Sequence, residues 1–226
     1  MAFVVPVVAV VIYSLIMYLI LRRHSAESPL YLLLCVAMGI GAAAIAFGLE
    51  YAWNYFLSPT INSHPSLVIF ESFIGVSLVE ESAKWIWFVL FIRHWVHFDR
   101  YTDGILYGCG LAAGFSLVEG LLYGIVHLDT AQSIVRSFTA VPVHFMFGII
   151  MGFLFARYKL ESDRFFWFSL LIPVLLHGLY DFFILQQFAD MLMGAALVVF
   201  AGSLSLSVWV CRTAYRVDRR NMPNVS

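Results

Sequence analysis

The stretch FIGVSLVEESAKWIWFVLF, from Phe73 to Phe91, places two adjacent carboxylates and an ammonium, those of Glu80, Glu81 and Lys84, within an otherwise apolar run. At about 1.5 Å of rise per residue, a helix of this length nearly crosses the hydrocarbon core of a bilayer. A charge at the centre of such a helix costs about 2.5–3.5 kcal/mol even on the lenient insertion scale. Charged residues kept at that cost usually face one another or a cavity. The stretch therefore predicts a polar site inside a membrane.

The composition of the whole chain supports a membrane location. Of the 226 residues, 62% are hydrophobic and 12% are charged, whereas a soluble domain has about 25% charged residues. The mean hydropathy is +0.89. The formal net charge of -1 leaves no basic face for nucleic acid, so a nucleic-acid partner is not expected. The lipid bilayer is the expected surrounding, and the cell membrane is the expected location.

The apolar runs predict an all-α membrane protein, a polytopic bundle of about seven transmembrane helices forming a single domain over residues 1–226. Residues 67–187 are predicted to form its catalytic helices. The predicted spans are Ala2–Leu21, Leu30–Leu57, Leu67–Ile92, Gly104–Val126, Ile134–Ala156, Phe165–Leu185 and Met191–Cys211.

Basic residues predict the orientation of these spans. Eleven of the 13 Lys and Arg residues fall in one set of alternate loops and in the C-terminal tail. The opposite loops contain none, although Arg136 lies just inside the fifth span on that side. By the positive-inside rule, the N-terminus is predicted to be outside and the C-terminus cytoplasmic.

Four consecutive spans carry ionisable residues at similar depths. Besides the charges of the third span, Glu119 lies in the fourth span, His144 in the fifth, and His177 with Asp181 in the sixth. Residues four apart share one face of a helix, so Asp181 is placed to accept the imidazole N–H of His177.

Helical spacing also groups residues of the third and fourth spans. Glu80 and Lys84 stack at a spacing of four, and Phe115, Glu119 and Tyr123 form one stripe. Small residues near these positions are expected to let the helices approach closely. They are Gly108, Gly110, Gly114, Gly120, Gly148 and Gly152.

Each feature taken alone also has a structural interpretation. Glu80 or Glu81 with Lys84 can be a structural ion pair, and His144 can be a packing residue. The pairing of histidine and aspartate can stabilise a helix, and Phe115 and Tyr123 can belong to the core. Their occurrence together on four neighbouring spans exceeds what packing requires and favours a catalytic site.

The residue types suit the hydrolysis of an amide. Two adjacent carboxylates cannot both ionise easily in a low dielectric, and Lys84 would keep one of them charged. Such an acid can take a proton from water and later give it to the leaving amine. Histidines across the cavity can donate hydrogen bonds to the oxyanion of a tetrahedral intermediate.

Three motifs resemble those of the PrsW family, the membrane-embedded bacterial proteases that cut anti-sigma factors. They are EESAKW, the spacing Phe-x-x-x-Glu-x-x-x-Tyr in FSLVEGLLY, and His-x-x-x-Asp in HGLYD, and they occur in that order on consecutive spans. PrsW belongs to a superfamily with the CAAX-processing and bacteriocin-processing proteases. The resemblance implies a single-span membrane protein as substrate.

The same resemblance implies the roles of the site residues. Glu80 and Glu81 would be the catalytic pair, one of them activating water. Glu119, His144 and His177 would line the site, and Asp181 would orient His177.

The sequence leaves metal dependence open. Glu119, His144 and His177 can in principle hold zinc with one open position. The helical His-Glu-x-x-His signature of zinc proteases is absent from the sequence. We therefore expect glutamate chemistry without a metal or other cofactor, with zinc as the alternative.

Two further classes of function are compatible with buried polar residues. One is a non-catalytic membrane scaffold, which would hold a stable, uncleaved partner. The other is a proton-coupled transporter, since buried acids and histidines can relay protons. No inverted repeat or matched pair of broken helices supports the transporter.

Overall fold

A computed structural model describes residues 2–22, 27–56, 65–186 and 193–221 of the chain, and these residues contain helices and no strand. The long helices are α1 (Val4–Leu21), α2 (Pro29–Phe56), α5 (Tyr101–His127), α7 (Ala140–Leu160), α8 (Phe165–Leu185) and α9 (Met193–Asn221). Shorter helices are α3 (Pro65–Phe70), α4 (Val79–Leu90) and α6 (Thr130–Phe138). A π-helical segment, Glu71–Leu78, joins α3 to α4, and a 3₁₀ turn, Ile92–His94, follows α4.

The predicted polytopic, all-α membrane fold is confirmed. Six helical stretches of the described chain are long and apolar enough to cross a membrane. The predicted third span, Leu67–Ile92, corresponds to the continuous run of α3, the π-helical segment and α4, which carries the buried charges but is not among these six stretches. The orientation of the termini stays a prediction.

Several boundaries differ from the predicted spans. The fifth span begins earlier than Ile134, because α6 and α7 together cover Thr130–Leu160 with a break at Thr139. The seventh span continues beyond Cys211 to Asn221 as the single helix α9. The predicted end of the second span at Leu57 and the predicted start of the seventh at Met191 lie outside the described residues.

The two most buried helices, α5 and α7, cross with their backbones in direct contact. An added Cβ at Gly148 would overlap the carbonyl oxygen of Gly108, and one at Gly152 would overlap that of Gly104. Close approach at small residues is the usual basis of tight helix packing in membranes. The expected role of these glycines is thereby confirmed, and the crossing brings the polar face of α5 against α7.

The π-helical segment sets the start of α4. Within it, Gly75 makes room for the indole of Trp53, whose Nε1 donates a hydrogen bond to Glu71 at 2.7 Å. Gly178 of α8 similarly makes room for the ring of Phe73. These contacts hold α2 and α8 against the segment. π-helices are rare and frequently occur at functional sites. A π-helical segment directly before the paired glutamates therefore supports a functional site at the start of α4.

The C-terminal helix α9 is tied to the start of α5. The buried Asp218 accepts hydrogen bonds from the backbone N–H groups of Tyr101 and Thr102, at 3.0 and 2.9 Å, and from the Thr102 hydroxyl at 2.7 Å. A carboxylate at a helix N-terminus satisfies free N–H groups and interacts favourably with the helix dipole. This contact fixes the end of α5 that is predicted to be cytoplasmic.

The glycine crossing yields a stability prediction. We expect Gly148→Ala to lower the free energy of unfolding by about 1–3 kcal/mol, because the new methyl group overpacks the α5–α7 contact. Unfolding of the detergent-solubilised protein by a denaturing detergent measures this change. The control is Gly202→Ala, since an added Cβ there meets no atom of the described residues within 4 Å. Equal stability of the two variants would contradict the proposed packing role.

Candidate active site

The structure brings the residues singled out in the sequence into one buried cluster. α4 contributes Glu80, Glu81 and Lys84, while α5 contributes Phe115, Glu119 and Tyr123. α7 contributes His144, and α8 contributes His177 and Asp181. Both glutamates, the lysine and both histidines are at most 4% exposed. Three elements therefore meet around the paired acids, and α5 supports them from behind.

Both neighbouring acids of α4 point inwards. Glu80 is 3% exposed and Glu81 is fully buried, although consecutive helical residues point about 100° apart. This is possible because α4 packs against α2 on one side and α8 on another. Lys84, one turn later, lies between the two directions and faces the same interior.

The ammonium of Lys84 lies at the centre of the cluster. Its Nζ is 2.7 Å from Glu81 Oε1, 3.7 Å from Glu80 Oε2 and 3.3 Å from His144 Nδ1. The ring of Phe115 covers the ammonium, with 4.1 Å between Nζ and the ring centroid. The positive charge therefore compensates two carboxylates that would otherwise repel each other in a low dielectric.

Each histidine turns one nitrogen to the cluster and the other to an outer carboxylate. His177 Nδ1 lies 2.9 Å from Glu81 Oε1, and its Nε2 lies 3.2 Å from Asp181 Oδ2. His144 Nε2 lies 2.8 Å from Glu119 Oε2, while its Nδ1 faces Lys84. A carboxylate behind a histidine fixes the tautomer and the ring direction, an arrangement typical of metal-ligating histidines. The two rings stand nearly perpendicular, with centroids 5.4 Å apart.

Four of these residues are close enough to share one metal ion. Glu80, Glu81, His144 and His177 each offer one ligand atom, and the four atoms lie within 4.8 Å of one another. One oxygen of each glutamate, Oε2, is buried without a hydrogen-bond partner among the described residues. Two imidazole nitrogens and carboxylate oxygens are a ligand set that suits zinc. The residues present therefore fit a divalent metal.

The candidate zinc ligands differ from those expected from the sequence. The sequence groups Glu119 with His144 and His177 as possible ligands, but in the structure its carboxylate lies behind His144 and hydrogen bonds to Nε2. Glu80 and Glu81 lie in the group of possible ligands instead. The sequence could not show this, since the directions of side chains on different helices depend on how those helices pack.

The stripe of Phe115, Glu119 and Tyr123 supports two cations. Phe115 faces the ammonium of Lys84, and Tyr123 lies under the guanidinium of Arg136, with 3.6 Å between Cζ and the ring centroid. Between the rings, Glu119 accepts a hydrogen bond from Arg136 through Oε1 and contacts His144 through Oε2. The aromatic residues are therefore electrostatic partners as well as core.

Sequence reasoning missed two charged residues beside the site. In the sequence, Arg136 serves only as one of the basic residues that predict orientation. In the structure, it extends from α6 and forms an ion pair with Glu119. Glu50 of α2 interacts electrostatically with Glu119, His177, Lys84 and Asp181. Its Oε1 is buried and has no hydrogen-bond partner among the described residues. A carboxylate within the apolar run FGLEYAW was a signal that could have identified Glu50.

A narrow crevice leads to the outer part of the site. It lies between α1, α5, α6 and the start of α7 and is lined by Pro6, Ser116, Glu119, Gly120, Tyr123, Ser133, Arg136, Ala140 and Val141. The buried hydroxyl of Ser116 has no partner among the described residues. The crevice therefore reaches Glu119, the hydrogen-bond partner of His144.

Comparisons with known proteins identify the family of this chain. The sequence model of PrsW-protease, described as the PrsW family of intramembrane metalloproteases, matches residues 27–206. Protease PrsW of Bacillus subtilis is 39% identical over 117 residues, which cover 50% of this chain and 53% of that relative. The chain thus spans about half the length of this relative.

Other relatives match over longer segments. Protease PrsW of Oceanobacillus iheyensis is 32% identical over 180 residues, covering 78% of this chain and 80% of the relative. Protease PrsW of Shouchella clausii is 29% identical over 208 residues, covering 90% of this chain and 93% of the relative. No solved structure gives a significant match. With the family match extending over the candidate site and most of the chain, the protein belongs to the PrsW family of intramembrane proteases.

Proposed function

We propose that this protein hydrolyses a peptide bond of a membrane-anchored regulatory protein by glutamate-activated water. The observation that carries the proposal is the convergence of Glu80, Glu81, His144 and His177 within 4.8 Å, inside a bundle of membrane-spanning helices. Membership of a protease family supports the reaction class. The catalytic helices of the proposal are those between residues 67 and 187.

Glu80 is the better placed of the two acids to act as general base. Oε1 of Glu81 is engaged by Lys84 at 2.7 Å and by His177 at 2.9 Å. Oε2 of each acid has no hydrogen-bond partner among the described residues, but the ion pair of Glu80 with Lys84 is longer, at 3.7 Å, so the carboxylate of Glu80 is the less engaged of the two. A base must have an oxygen free to take a proton from water and return it to the leaving amine. We therefore assign proton transfer to Glu80.

In the proposal, His144, His177 and Glu81 hold a divalent metal, with zinc as the candidate. When bound, zinc would polarise the scissile carbonyl and lower the pKa of water. The family description as metalloproteases and the two carboxylate-backed histidines support this assignment over the metal-free chemistry expected from the sequence. Asp181 and Glu119 keep the imidazole rings directed inwards.

The substrate in this proposal is a single-span membrane protein of the anti-sigma-factor kind. The resemblance of the motifs to PrsW implies that class. The burial of the site among apolar spans supports it, because the scissile bond must reach side chains that are at most 4% exposed. A segment that already lies within or at the edge of the bilayer reaches them with the least additional desolvation.

The assignment of the acids is tested with Glu80→Gln and Glu81→Gln. We expect each variant to lose cleavage by about 100-fold or more, because glutamine cannot transfer the proton or provide the charged oxygen. Purified variants are incubated in proteoliposomes with single-span anti-sigma-factor-like proteins, and the products are identified by mass spectrometry. Glu71→Gln is the matched control, since this carboxylate lies in the same span but hydrogen bonds to Trp53. Retained activity in both Glu80 and Glu81 variants would refute the proposed function.

Metal dependence is tested by removing and restoring the metal. We expect a chelator to abolish cleavage and stoichiometric zinc to restore it. Metal analysis should give one zinc per chain for the wild-type protein and for Glu80→Gln, but much less for Glu81→Gln and His144→Ala. The exposed His94 provides the control variant His94→Ala. Full activity in protein shown by metal analysis to be metal-free would rule out the metal.

A further inference from the structure

We propose that Arg136 is a positioning residue of the active site, which acts through Glu119 to hold His144 in its working orientation. This inference rests on the proposed function and deepens it. Arg136 lies outside the three motifs and on a different helix from every catalytic residue. It would make α6, a short helix before the break at Thr139, a functional part of the site.

Two contacts fix the guanidinium of Arg136. Its Nη2 donates a hydrogen bond to Glu119 Oε1, and its Cζ lies 3.6 Å from the centroid of the Tyr123 ring. The side chain is 24% exposed and that of Glu119 is 12% exposed. A partly buried arginine that is both stacked and ion-paired has little rotational freedom. The carboxylate of Glu119 is therefore held from the side opposite His144.

Glu119 transmits this constraint because its two oxygens have different partners. Oε1 accepts from Arg136, and Oε2 accepts from His144 Nε2 at 2.8 Å. With the proton on Nε2, the lone pair of His144 Nδ1 points to the cluster, where Lys84 Nζ lies 3.3 Å away. Without Arg136, one oxygen of Glu119 loses its donor and the carboxylate is free to turn. His144 then keeps Lys84 beside Nδ1 but loses the fixed carboxylate that holds the proton on Nε2.

The structure of α6 directs Arg136 towards α5. Asp129 caps the helix by accepting hydrogen bonds from the backbone N–H groups of Ala131 and Gln132, at 2.9 and 3.2 Å. Ser133 and Ser137 are buried on one face. The opposite face is apolar and exposed, through Ile134, Val135 and Phe138. Arg136, three residues after Ser133, lies on the side of the buried serines and from there reaches Glu119 of α5.

The placement of this charge points to a specific role. Arg136 lies near the loops that are otherwise free of basic residues. It is next to the crevice that leads to Glu119. A purely structural ion pair would stabilise α6 against α5 without affecting the chemistry of His144. The two roles differ in what they predict for His144 and for the double variant with Glu119.

The test compares Arg136→Met, Glu119→Gln and the double variant with the wild-type protein. Methionine has a similar length and is readily accommodated in a membrane helix. Arg157→Gln is the matched control, because Arg157 also pairs with a carboxylate, that of Glu161 at 2.6 Å, but does so away from the site. Two readouts are used: kcat for cleavage, and the ¹⁵N NMR signals of the His144 ring in metal-free protein, assigned by His144→Gln.

We expect Arg136→Met to lower kcat about 10-fold, as for other residues that support active-site ligands, with KM little changed. The His144 ring should change from one Nε2–H tautomer to a mixture. The double variant should match Glu119→Gln in kcat, because Arg136 acts through Glu119. The control Arg157→Gln should match the wild type in both readouts.

Two results would overturn the proposal. One is an unchanged His144 spectrum in Arg136→Met. The other is a kcat of the double variant far below that of Glu119→Gln, which would show that Arg136 acts outside this pair. If Arg136→Met fails to fold, the double variant, which removes both charges together, still decides. If the wild-type protein cleaves no substrate, the proposed function fails while the NMR comparison still tests Arg136.

Discussion

Charge compensation by the buried ammonium of Lys84 is the constraint on which the rest of the site depends. Two adjacent carboxylates inside a membrane protein repel each other and lose hydration, which makes their burial costly. Lys84 contacts both of them and also His144, so one cation holds together side chains from α4 and α7. The phenyl face of Phe115 replaces the water that an exposed ammonium would have. The helices around the site therefore pack to satisfy these charges.

The outer carboxylates form a second layer with a different task. Asp181 and Glu119 each contact the Nε2 atom of one histidine, and Arg136 holds the far side of Glu119. His144 is thus oriented by a carboxylate on another helix, Glu119, and His177 by a carboxylate one turn away, Asp181. Such layering is expected where side chains must keep one direction despite low local polarity. It also distinguishes the cluster from a simple structural ion pair, which would need no histidine at its centre.

The sequence predicted much of this arrangement and failed where packing decides. Apolar runs and helical spacing predicted the spans and the pairing of His177 with Asp181, because those depend on local periodicity. They could not show the π-helical segment, which reflects contacts of Gly75 and Gly178 with residues distant in sequence. The break at Thr139 and the reach of Arg136 across to Glu119 likewise depend on the tertiary placement of α6. The apolar neighbours of Glu50 mark it as a membrane-embedded carboxylate, but the sequence does not show that it lies near the site.

The glycine crossing of α5 and α7 has a mechanical consequence for the pocket. Since no side chain separates the two backbones at Gly108 and Gly148, these helices form a rigid wall that cannot slide or spread without breaking backbone contact. Glu119 on α5 and His144 on α7 hydrogen bond to each other at 2.8 Å, and the backbone contact between their helices fixes that spacing. In the opposite half of the pocket, the π-helical segment before α4 meets α8 through a side chain, that of Phe73 against Gly178, so that half lacks the direct backbone contact that makes α5 and α7 rigid.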